Sequence, residues 1–440
     1  MMPRWLRLFS NHGMVAVLVL LCAFYSAATL AEQNIGGAAG GEALAEKIIH
    51  ERGSGVRVAI VAGSGADDGV FAQVLQDKLV EAGVQVVLAV KGPPRAARLA
   101  LTKLDSTTAG PDVIAASYSA SRWSLLAHLD KLLPKLAGIP VVRLPSYVWP
   151  NFLRTDNLLN IANQIAVIAI IAIGMTLVIV SGGIDLSVGS LIALSAVLAT
   201  LLIRDAANAE EAAPGAMVLC CLAAILVCAG VGLFTGAIVT YFAVPPFIVT
   251  LGMMLVAGGL AEKLSANQSI YHLPESFVWL GRGADLAGIP NAVVLMGLLY
   301  VTAHVLMTRT TLGRYIYAVG GNAEAARLSG VRVERVRLFV YALCAALAGV
   351  GGVIMASQLK SGAPTYGQMY ELYVIAAVVV GGTSLSGGEG RVMGTLIGAL
   401  VIAVIRNGMN LTGVESSWQK IVLGSIIVAA VLVDRLKARN

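Results

Sequence analysis

The sequence predicts an all-α polytopic membrane protein of about ten transmembrane helices, with a small extracytoplasmic α/β insert. The chain of 440 residues is 57% hydrophobic and 13% charged, and its mean hydropathy is +0.81. A soluble domain, by comparison, carries about 25% charged residues. Ten apolar runs are long enough to cross about 30 Å of hydrocarbon. They lie near residues 13–31, 163–182, 185–203, 216–240, 246–264, 291–308, 338–357, 371–386, 392–410 and 418–434.

The basic residues between these runs indicate the orientation of the chain. If the N-terminus is inside and the chain crosses ten times, the cytoplasmic segments hold twelve Lys and Arg, six of them between Arg309 and Arg337. The short outer loops hold Arg204, Arg282 and Lys360. Because cytoplasmic loops are enriched in Lys and Arg, both termini are expected to be cytoplasmic. The net charge of +6 then reflects this asymmetry, and no nucleic-acid partner is expected.

The predicted organisation has three parts. Residues 1–32 form a cytoplasmic N-terminus and the first helix, although basic, apolar and small residues in that order also fit a cleaved secretory signal. Residues 33–150 form the insert, and residues 151–440 form a core of about nine transmembrane helices. The insert follows an outward crossing, and long domains translocate largely regardless of charge.

Within the insert, strand patterns alternate with helix patterns. The strands are predicted at VRVAIVAG, VQVVLAV, PDVIAAS and IPVVRLP. This order is typical of a small parallel sheet with helices on both faces. The turn GSGADDG after the first strand is interpreted as a plain helix N-terminus capped by Asp67 or Asp68.

The sequence does not support enzyme chemistry. LSGGE, residues 385–389, is one letter from the signature of an ATP-binding cassette, but the chain contains no G-x-x-x-x-G-K-[ST] loop to hold phosphates. The pentapeptide instead lies in a glycine-rich turn, which we expect at the cytoplasmic surface because Glu389 and Arg391 are costly at mid-bilayer. The histidines show no metal spacing. We therefore expect no catalytic residues, no metal site and no cofactor bound by this chain.

Two polar stretches are candidate solute-contacting sites. SGGIDLSVGS interrupts two apolar runs, and Asp185 and Ser187 either line a path or serve as a cap, with the carboxylate of Asp185 capping the next helix. The last outer turn, NGMNLTGVESSWQK, offers amides and an aromatic face to a hydroxylated solute. Its candidate residues are Asn407, Asn410, Trp418 and Gln419, although Trp418 also fits an interfacial anchor.

A third stretch, GNAEAARLSG, lies in the longest basic cytoplasmic loop. It has Asn322 at an N-cap position, a short alanine-rich helix and Gly330 just after it. Such a surface helix predicts docking of a peripheral partner, whereas an ordinary loop would bind anionic membrane lipid through its arginines. The candidate docking residues are Asn322, Glu324, Ala325, Arg327, Leu328, Ser329 and Gly330.

Together, several stretches in order along residues 150–434 resemble the ribose/xylose-type ABC sugar permeases, which are membrane subunits of bacterial importers. The matching stretches are NLLNIANQIAVIAIIAIGMTLVIVSGGIDLSVGS, PPFIVTLGMM, GGNAEAARLSGV, AAVVVGGTSLSGGEGRVMGT and NGMNLTGVESSWQKIVLG.

The resemblance implies a permease of the bacterial inner membrane that translocates a monosaccharide or similar polyol, with its insert in the periplasm. It implies three protein partners: a cassette ATPase that uses ATP and Mg²⁺, a periplasmic substrate-binding protein, and a second permease copy or a related chain. It also implies that the helix from Asn322 to Gly330 couples to the ATPase.

Three departures from the family pattern keep other interpretations open. The insert is unusual and is similar to part of one lobe of sugar-binding proteins, Gly258 replaces an arginine, and Tyr373 replaces an acid. An ion-coupled secondary transporter is the alternative class, and a membrane-tethered sensor is a third. Within the wider superfamily, nucleosides or branched-chain amino acids are alternative cargoes.

Overall fold

The computed structural model describes residues 4–105 and 110–437 and divides the chain into two compact units. One unit, Leu30–Pro150, is the insert; the other, Met1–Thr29 with Asn151–Asn440, is called the membrane unit below. The sequence-based boundaries of 33 and 150 lie within a few residues of these limits.

The insert is built on a four-stranded parallel sheet with strand order β3-β2-β4-β5. All four predicted strands form. The order after α1 (Arg4–Ala28) is β1 (Leu30–Gln33), α2 (Gly37–Arg52), β2 (Arg57–Ala62), α3 (Ala66–Glu81), β3 (Gln85–Lys91), α4 (Pro94–Asp105), β4 (Val113–Ala116), α5 (Tyr118–Ser121), α6 (Ser124–Ala127), α7 (Leu129–Leu132), β5 (Val141–Val142) and β6 (Tyr147–Pro150).

Both faces of this sheet are covered by helices, as predicted. Leu44 of α2 and Leu75 of α3 pack on one face, and Leu101 of α4 packs on the other. The predicted cap of α3 is wrong, because the N-cap residue is Gly65 and no side chain bonds there. The carboxylate of Asp68 instead accepts hydrogen bonds of 2.9 and 2.8 Å from the hydroxyl of Ser119.

A second, two-stranded sheet was not predicted. β1 pairs antiparallel with β6, with Leu30 opposite Pro150 and Gln33 opposite Tyr147. We call residues 30–33 and 147–150 the ribbon. Its strands are the first and last residues of the insert, so neither has its partner nearby in sequence.

The membrane unit is helical. After α8 (Thr155–Val180) come α9 (Val188–Ala206), α10 (Pro214–Tyr241), α11 (Pro246–Ser265), α12 (Trp279–Arg282), α13 (Asn291–Arg309), α14 (Thr311–Gly321), α15 (Ala323–Leu328), α16 (Val333–Leu359), α17 (Tyr370–Val380), α18 (Val392–Leu411) and α19 (Ser416–Lys437). Within the described residues, seven helices are long and apolar enough to cross a membrane: α8, α9, α10, α11, α13, α16 and α18. The other three predicted runs correspond to shorter apolar helices, Gly13–Ala28 within α1, α17, and Ser416–Leu432 within α19.

Glycine allows the backbones of these helices to approach closely. A Cβ on Gly174 of α8 would lie 2.6 Å from the Cα of Cys344 in α16, and one on Gly352 of α16 would lie 2.5 Å from the carbonyl oxygen of Ile192 in α9. Small residues at helix contacts are the usual means of packing in membranes, where burial of apolar surface from water is absent. The glycine content of the sequence predicts this mode of packing.

The loops of the membrane unit collect at two ends. One end, called the docking end below, comprises residues 181–187, 242–245, 310–332 and 381–391. At this end the Gly388 N–H donates to the Val180 carbonyl at 2.8 Å. The other end, called the insert end, comprises Thr29, Asn151 and residues 207–213, 266–290 and 360–369. At this end Lys360 forms an ion pair with Glu275. The hydrogen bond from Lys360, with its charge, holds the pKa of the Glu275 carboxyl below its ordinary value. Consecutive long helices therefore run alternately between two ends, as a polytopic membrane protein requires.

Candidate functional site

The polar segment 181–187 breaks the helical path between α8 and α9, as its glycines and acid indicate. Asp185 is fully buried, and its Oδ1 accepts from the Ser187 backbone N–H at 2.9 Å and from the Ser187 hydroxyl at 2.6 Å. Helix α9 begins at Val188, and its N-cap residue is Ser187, not Asp185. The carboxylate of Asp185 nevertheless binds a backbone N–H immediately before the helix, as the capping interpretation predicts.

A second non-helical segment, 360–369, runs beside α9 from the insert end. A Cβ on Gly362 would overlap the hydroxyl of Thr200, and one on Gly367 would lie 2.7 Å from the Cβ of Ile192. The segment therefore follows about two turns of α9 before α17 begins at Tyr370. Helix α17 has 11 residues, about 16 Å, which is about half of a bilayer's hydrocarbon thickness.

The N-termini of α9 and α17 meet one wall of α11 around a cleft of about 480 Å³. Its polar lining comes from one hydroxyl, one amide, one phenol and two carboxylates: Ser190, Gln368, Tyr366, Glu262 and Glu371. Glycines at 189, 258, 259 and 367 leave the cleft open by contributing no side chain. The cleft thus has the hydrogen-bonding groups that a hydroxylated solute requires.

Sequence reasoning missed the residues of this cleft. The signal was present, because Glu262 and Glu371 are acids within or at the edge of predicted apolar runs, and such acids are candidate functional residues. These two carboxylates line the same cleft because segment 360–369 packs along α9 before α17 begins. No local sequence pattern predicts that packing. Gly258, one of the three departures from the family pattern, lines the cleft, and a Cβ there would lie 3.4 Å from the Ser190 hydroxyl.

The predicted residues of the last outer turn lie elsewhere, outside the cleft lining. The amides of Asn407 and Asn157 exchange hydrogen bonds of 3.1 and 2.9 Å, and Gln419 donates to the Oδ1 of Asn410 at 2.7 Å. The indole of Trp418 is exposed. These amides therefore join α18 to α8 and to α19 in the present arrangement.

The candidate docking helix begins and ends where the sequence indicates. Asn322 Oδ1 accepts from the Ala325 N–H at 2.9 Å, and Gly330 follows the helix with φ of +87°. Arg327 donates to Glu334 at 2.8 Å, which ties the helix to the start of α16. Leu328 is 86% exposed. A rigid, capped helix therefore presents an uncovered leucine.

The remaining predicted docking residues belong to the same short helix and its end. Glu324, Ala325 and Ser329 are all exposed. The Ser329 hydroxyl donates to the Ala325 carbonyl at 2.9 Å, which adds a bond to the last turn.

The end of α14, directly before the docking helix, packs tightly against the end of α8 and the turn after α17. We call this contact the glycine junction, and it comprises Val180, Gly320, Gly321, Gly387 and Gly388. A Cβ on Gly388 would lie 2.9 Å from the Cα of Gly321, and one on Gly387 would lie 3.1 Å from the Cα of Gly182. The hydroxyl of Tyr317 donates to the Gly390 carbonyl at 2.7 Å. The turn that contains LSGGE, called the wedge turn below, thus packs against both the end of α14 and segment 181–187.

Alternating helices, a polar cleft within them and a docking helix at one end define a polytopic membrane permease. The chain belongs to the family described as the branched-chain amino acid transport system / permease component, whose model matches residues 157–431. The family resemblance indicated by the sequence motifs is confirmed.

The match with curated relatives extends over most of the length of each relative. The ribose import permease protein RbsC of Escherichia coli (strain K12) is 43% identical over 290 residues, which is 65% of this chain and 88% of the relative. RbsC of Bacillus subtilis (strain 168) is 42% identical over 70% of this chain and 94% of the relative. The galactose/methyl galactoside import permease protein MglC of Salmonella typhimurium is 38% identical over 57% of this chain and 78% of the relative. No solved structure matches the chain.

Proposed function

We propose that the chain is the membrane-spanning permease subunit of an ATP-binding-cassette importer for a monosaccharide or similar polyol. The observation that carries the proposal is the docking helix, where Leu328 is 86% exposed on a helix with both ends secured. An apolar side chain on an exposed helix is the kind of anchor that binds in a hydrophobic groove of a partner. Two relatives are named as import permeases for ribose and for galactose, which supports a sugar as the cargo.

The energy for transport would come from outside this chain. A cassette ATPase would bind the docking helix and use ATP and Mg²⁺, and a periplasmic binding protein would deliver the solute at the insert end. A second copy of the permease, or a related chain, would complete the pathway. Nucleotide binding at the ATPase and binding of the periplasmic protein would each favour one conformation of the permease, because each has a higher affinity for that conformation than for the other.

The proposed topology has ten crossings of the bacterial inner membrane, with both termini cytoplasmic and residues 33–150 periplasmic. α1 is retained in this proposal, because Tyr25 packs into the space left by Gly408 of α18, where a Cβ would overlap its ring. α17 is too short to cross alone, so segment 360–369 would complete its crossing. The basic loops lie at the docking end, in agreement with a cytoplasmic position.

The proposed solute pathway passes through the cleft. Replacing Gly258 with tryptophan is expected to abolish uptake, because the indole would fill the space between α11 and Ser190. The matched control is Gly252→Trp on the same helix, since a Cβ there meets nothing within 4 Å and Gly252 does not line the cleft. Radiolabelled sugar uptake in proteoliposomes, with complex assembly checked by co-purification, measures both. Equal uptake by the two variants would place the pathway elsewhere.

The proposed function is tested by reconstitution. Proteoliposomes that contain this chain, its ATPase and its binding protein are expected to accumulate sugar only when ATP is present. The carboxylates of Glu262 and Glu371 in the cleft make ion coupling the relevant alternative. Uphill accumulation by the chain alone, driven by a proton or sodium gradient, would establish a secondary transporter and reject the importer.

A further inference from the structure

The ribbon exposes apolar side chains on both of its faces. Leu30, Tyr147, Val148 and Trp149 are 56, 50, 64 and 45% exposed. Because side chains alternate along a strand, Leu30 and Val148 lie on one face of the antiparallel pair, and Tyr147 and Trp149 lie on the other. Four of its eight residues are thus large apolar or aromatic groups in contact with solvent.

A two-stranded sheet of this kind needs a covering surface. Isolated two-stranded sheets are marginal in water, and packing against another element normally stabilises them. Within the insert, no described element buries these four side chains. One polar tie from the ribbon to the rest of the insert is a 2.7 Å hydrogen bond from the Tyr118 hydroxyl to Glu32, and it leaves the apolar groups exposed.

The ribbon is joined in sequence to two helices of the membrane unit by short connections. β1 begins two residues after the end of α1, and β6 ends five residues before the start of α8. The Asn151 N–H donates to the Thr29 carbonyl at 2.9 Å, and the Phe152 N–H donates to the Thr29 hydroxyl at 3.1 Å. The two strands therefore leave the membrane unit side by side.

This geometry limits how far the ribbon reaches from the membrane. Trp149 lies two residues from Asn151, so at most about 7 Å of chain separates them. The polar headgroup layer of a bilayer is about 5–8 Å thick on each side of the hydrocarbon. Helices α1 and α8 are both apolar, and in a multi-pass protein their ends at Ala28 and Thr155 lie at the membrane surface.

We propose that the ribbon lies in the lipid interface at the insert end of the membrane unit, where Tyr147 and Trp149 anchor it at the level of the headgroups. Tyrosine and tryptophan are enriched at this depth because each has an apolar body and a polar edge. The ribbon has no Lys or Arg, so it recognises the boundary between headgroup and acyl chain rather than anionic lipid. The lipid surface thereby supports both strands through which the insert is attached.

Depth-dependent fluorescence quenching tests this inference on the full-length protein. A variant that keeps Trp149 and replaces Trp5, Trp123, Trp279 and Trp418 with phenylalanine is placed in phosphatidylcholine nanodiscs. Trp149 emission is expected to be shifted to the blue and to be largely lost with lipids brominated near the carbonyl groups. Lipids brominated near the methyl ends should quench it less. A second set of nanodiscs with added anionic lipid is expected to give the same quenching.

The matched control is the variant that keeps Trp123 alone, because Trp123 packs against the sheet core of the insert, away from the ribbon. Its emission should not respond to brominated lipid. In the native chain, Trp149→Phe should lower the lipid-quenchable emission by the contribution of Trp149 without changing uptake substantially. This comparison guards against misfolding of the single-tryptophan variants. Unquenched Trp149 that remains open to acrylamide overturns the proposal. Protection of Trp149 only after addition of the binding protein, or only at high protein concentration, also overturns it in favour of a protein contact.

Discussion

Replacing Gly320 with alanine is expected to abolish uptake and to lower the thermal stability of the protein. A Cβ at this position would overlap the carbonyl oxygen of Val180 and would lie 2.7 Å from the backbone nitrogen of Gly388. These two atoms form the 2.8 Å hydrogen bond that closes the glycine junction. The added methyl group therefore pushes apart the end of α8, the end of α14 and the wedge turn.

The obstacles around Gly320 are backbone atoms, which cannot move aside as a flexible side chain can. Overpacking of a tight site typically costs about 1–3 kcal/mol and sometimes more. Gly320 also lies two residues before the docking helix, so if that helix binds the ATPase as proposed, a displacement here would disturb its connection to the core. Both stability and transport should therefore fall.

The neighbouring glycine provides a matched control. A Cβ on Gly321 meets nothing within 4 Å, so Gly321→Ala should leave both quantities nearly unchanged. Thermal unfolding in detergent and sugar uptake in proteoliposomes measure the pair. If Gly320→Ala is as stable and as active as Gly321→Ala, the glycine junction is looser than described and does not transmit movement.

Replacing Leu328 with aspartate is expected to uncouple ATP hydrolysis from uptake while the membrane unit stays folded. Leu328 is 86% exposed, and it is the one large apolar side chain of the docking helix. Burial of a leucine side chain is typically worth about 2 kcal/mol, so its loss from the contact is expected to cost on the order of thirtyfold in affinity. A buried, unpaired carboxylate at the contact would increase this cost.

The measurement is co-purification of the ATPase together with uptake and ATP turnover in proteoliposomes. Leu328→Met should retain function because it preserves an apolar side chain of similar volume. The matched control at the opposite end is Leu286→Asp, since Leu286 is also exposed, at 58%, but lies in loop 266–290 of the insert end. Normal ATPase binding by Leu328→Asp would mean that another surface docks the partner.

Local patterns predicted the elements of this protein well where one segment carries its own signal. The docking helix has an N-cap asparagine and a following glycine, and both act as expected at Asn322 and Gly330. The four parallel strands of the insert are short apolar runs between turns, and all four form. Segment 181–187 carries glycines and an acid between two apolar runs, and the helical path breaks there.

Features that depend on partners distant in sequence were missed or misassigned. β1 pairs with β6 more than a hundred residues later, and neither strand has a pattern of its own. The sequence predicts Asp67 or Asp68 as a helix cap, but Asp68 bonds to Ser119, which the fold brings next to it. Glu262 and Glu371 could be noticed as acids, yet their shared cleft depends on a descending segment packed against α9.

By itself, the sequence determined that this is a multi-pass membrane protein with an α/β insert, because hydropathy and strand–helix alternation act residue by residue. It also determined the family and the docking helix, whose motifs are contiguous. Only the tertiary structure decided which distant segments meet, as they do in the cleft, the glycine junction and the ribbon. Each of these is made by segments far apart in the chain, and contacts of that kind depend on packing geometry, which no single stretch encodes.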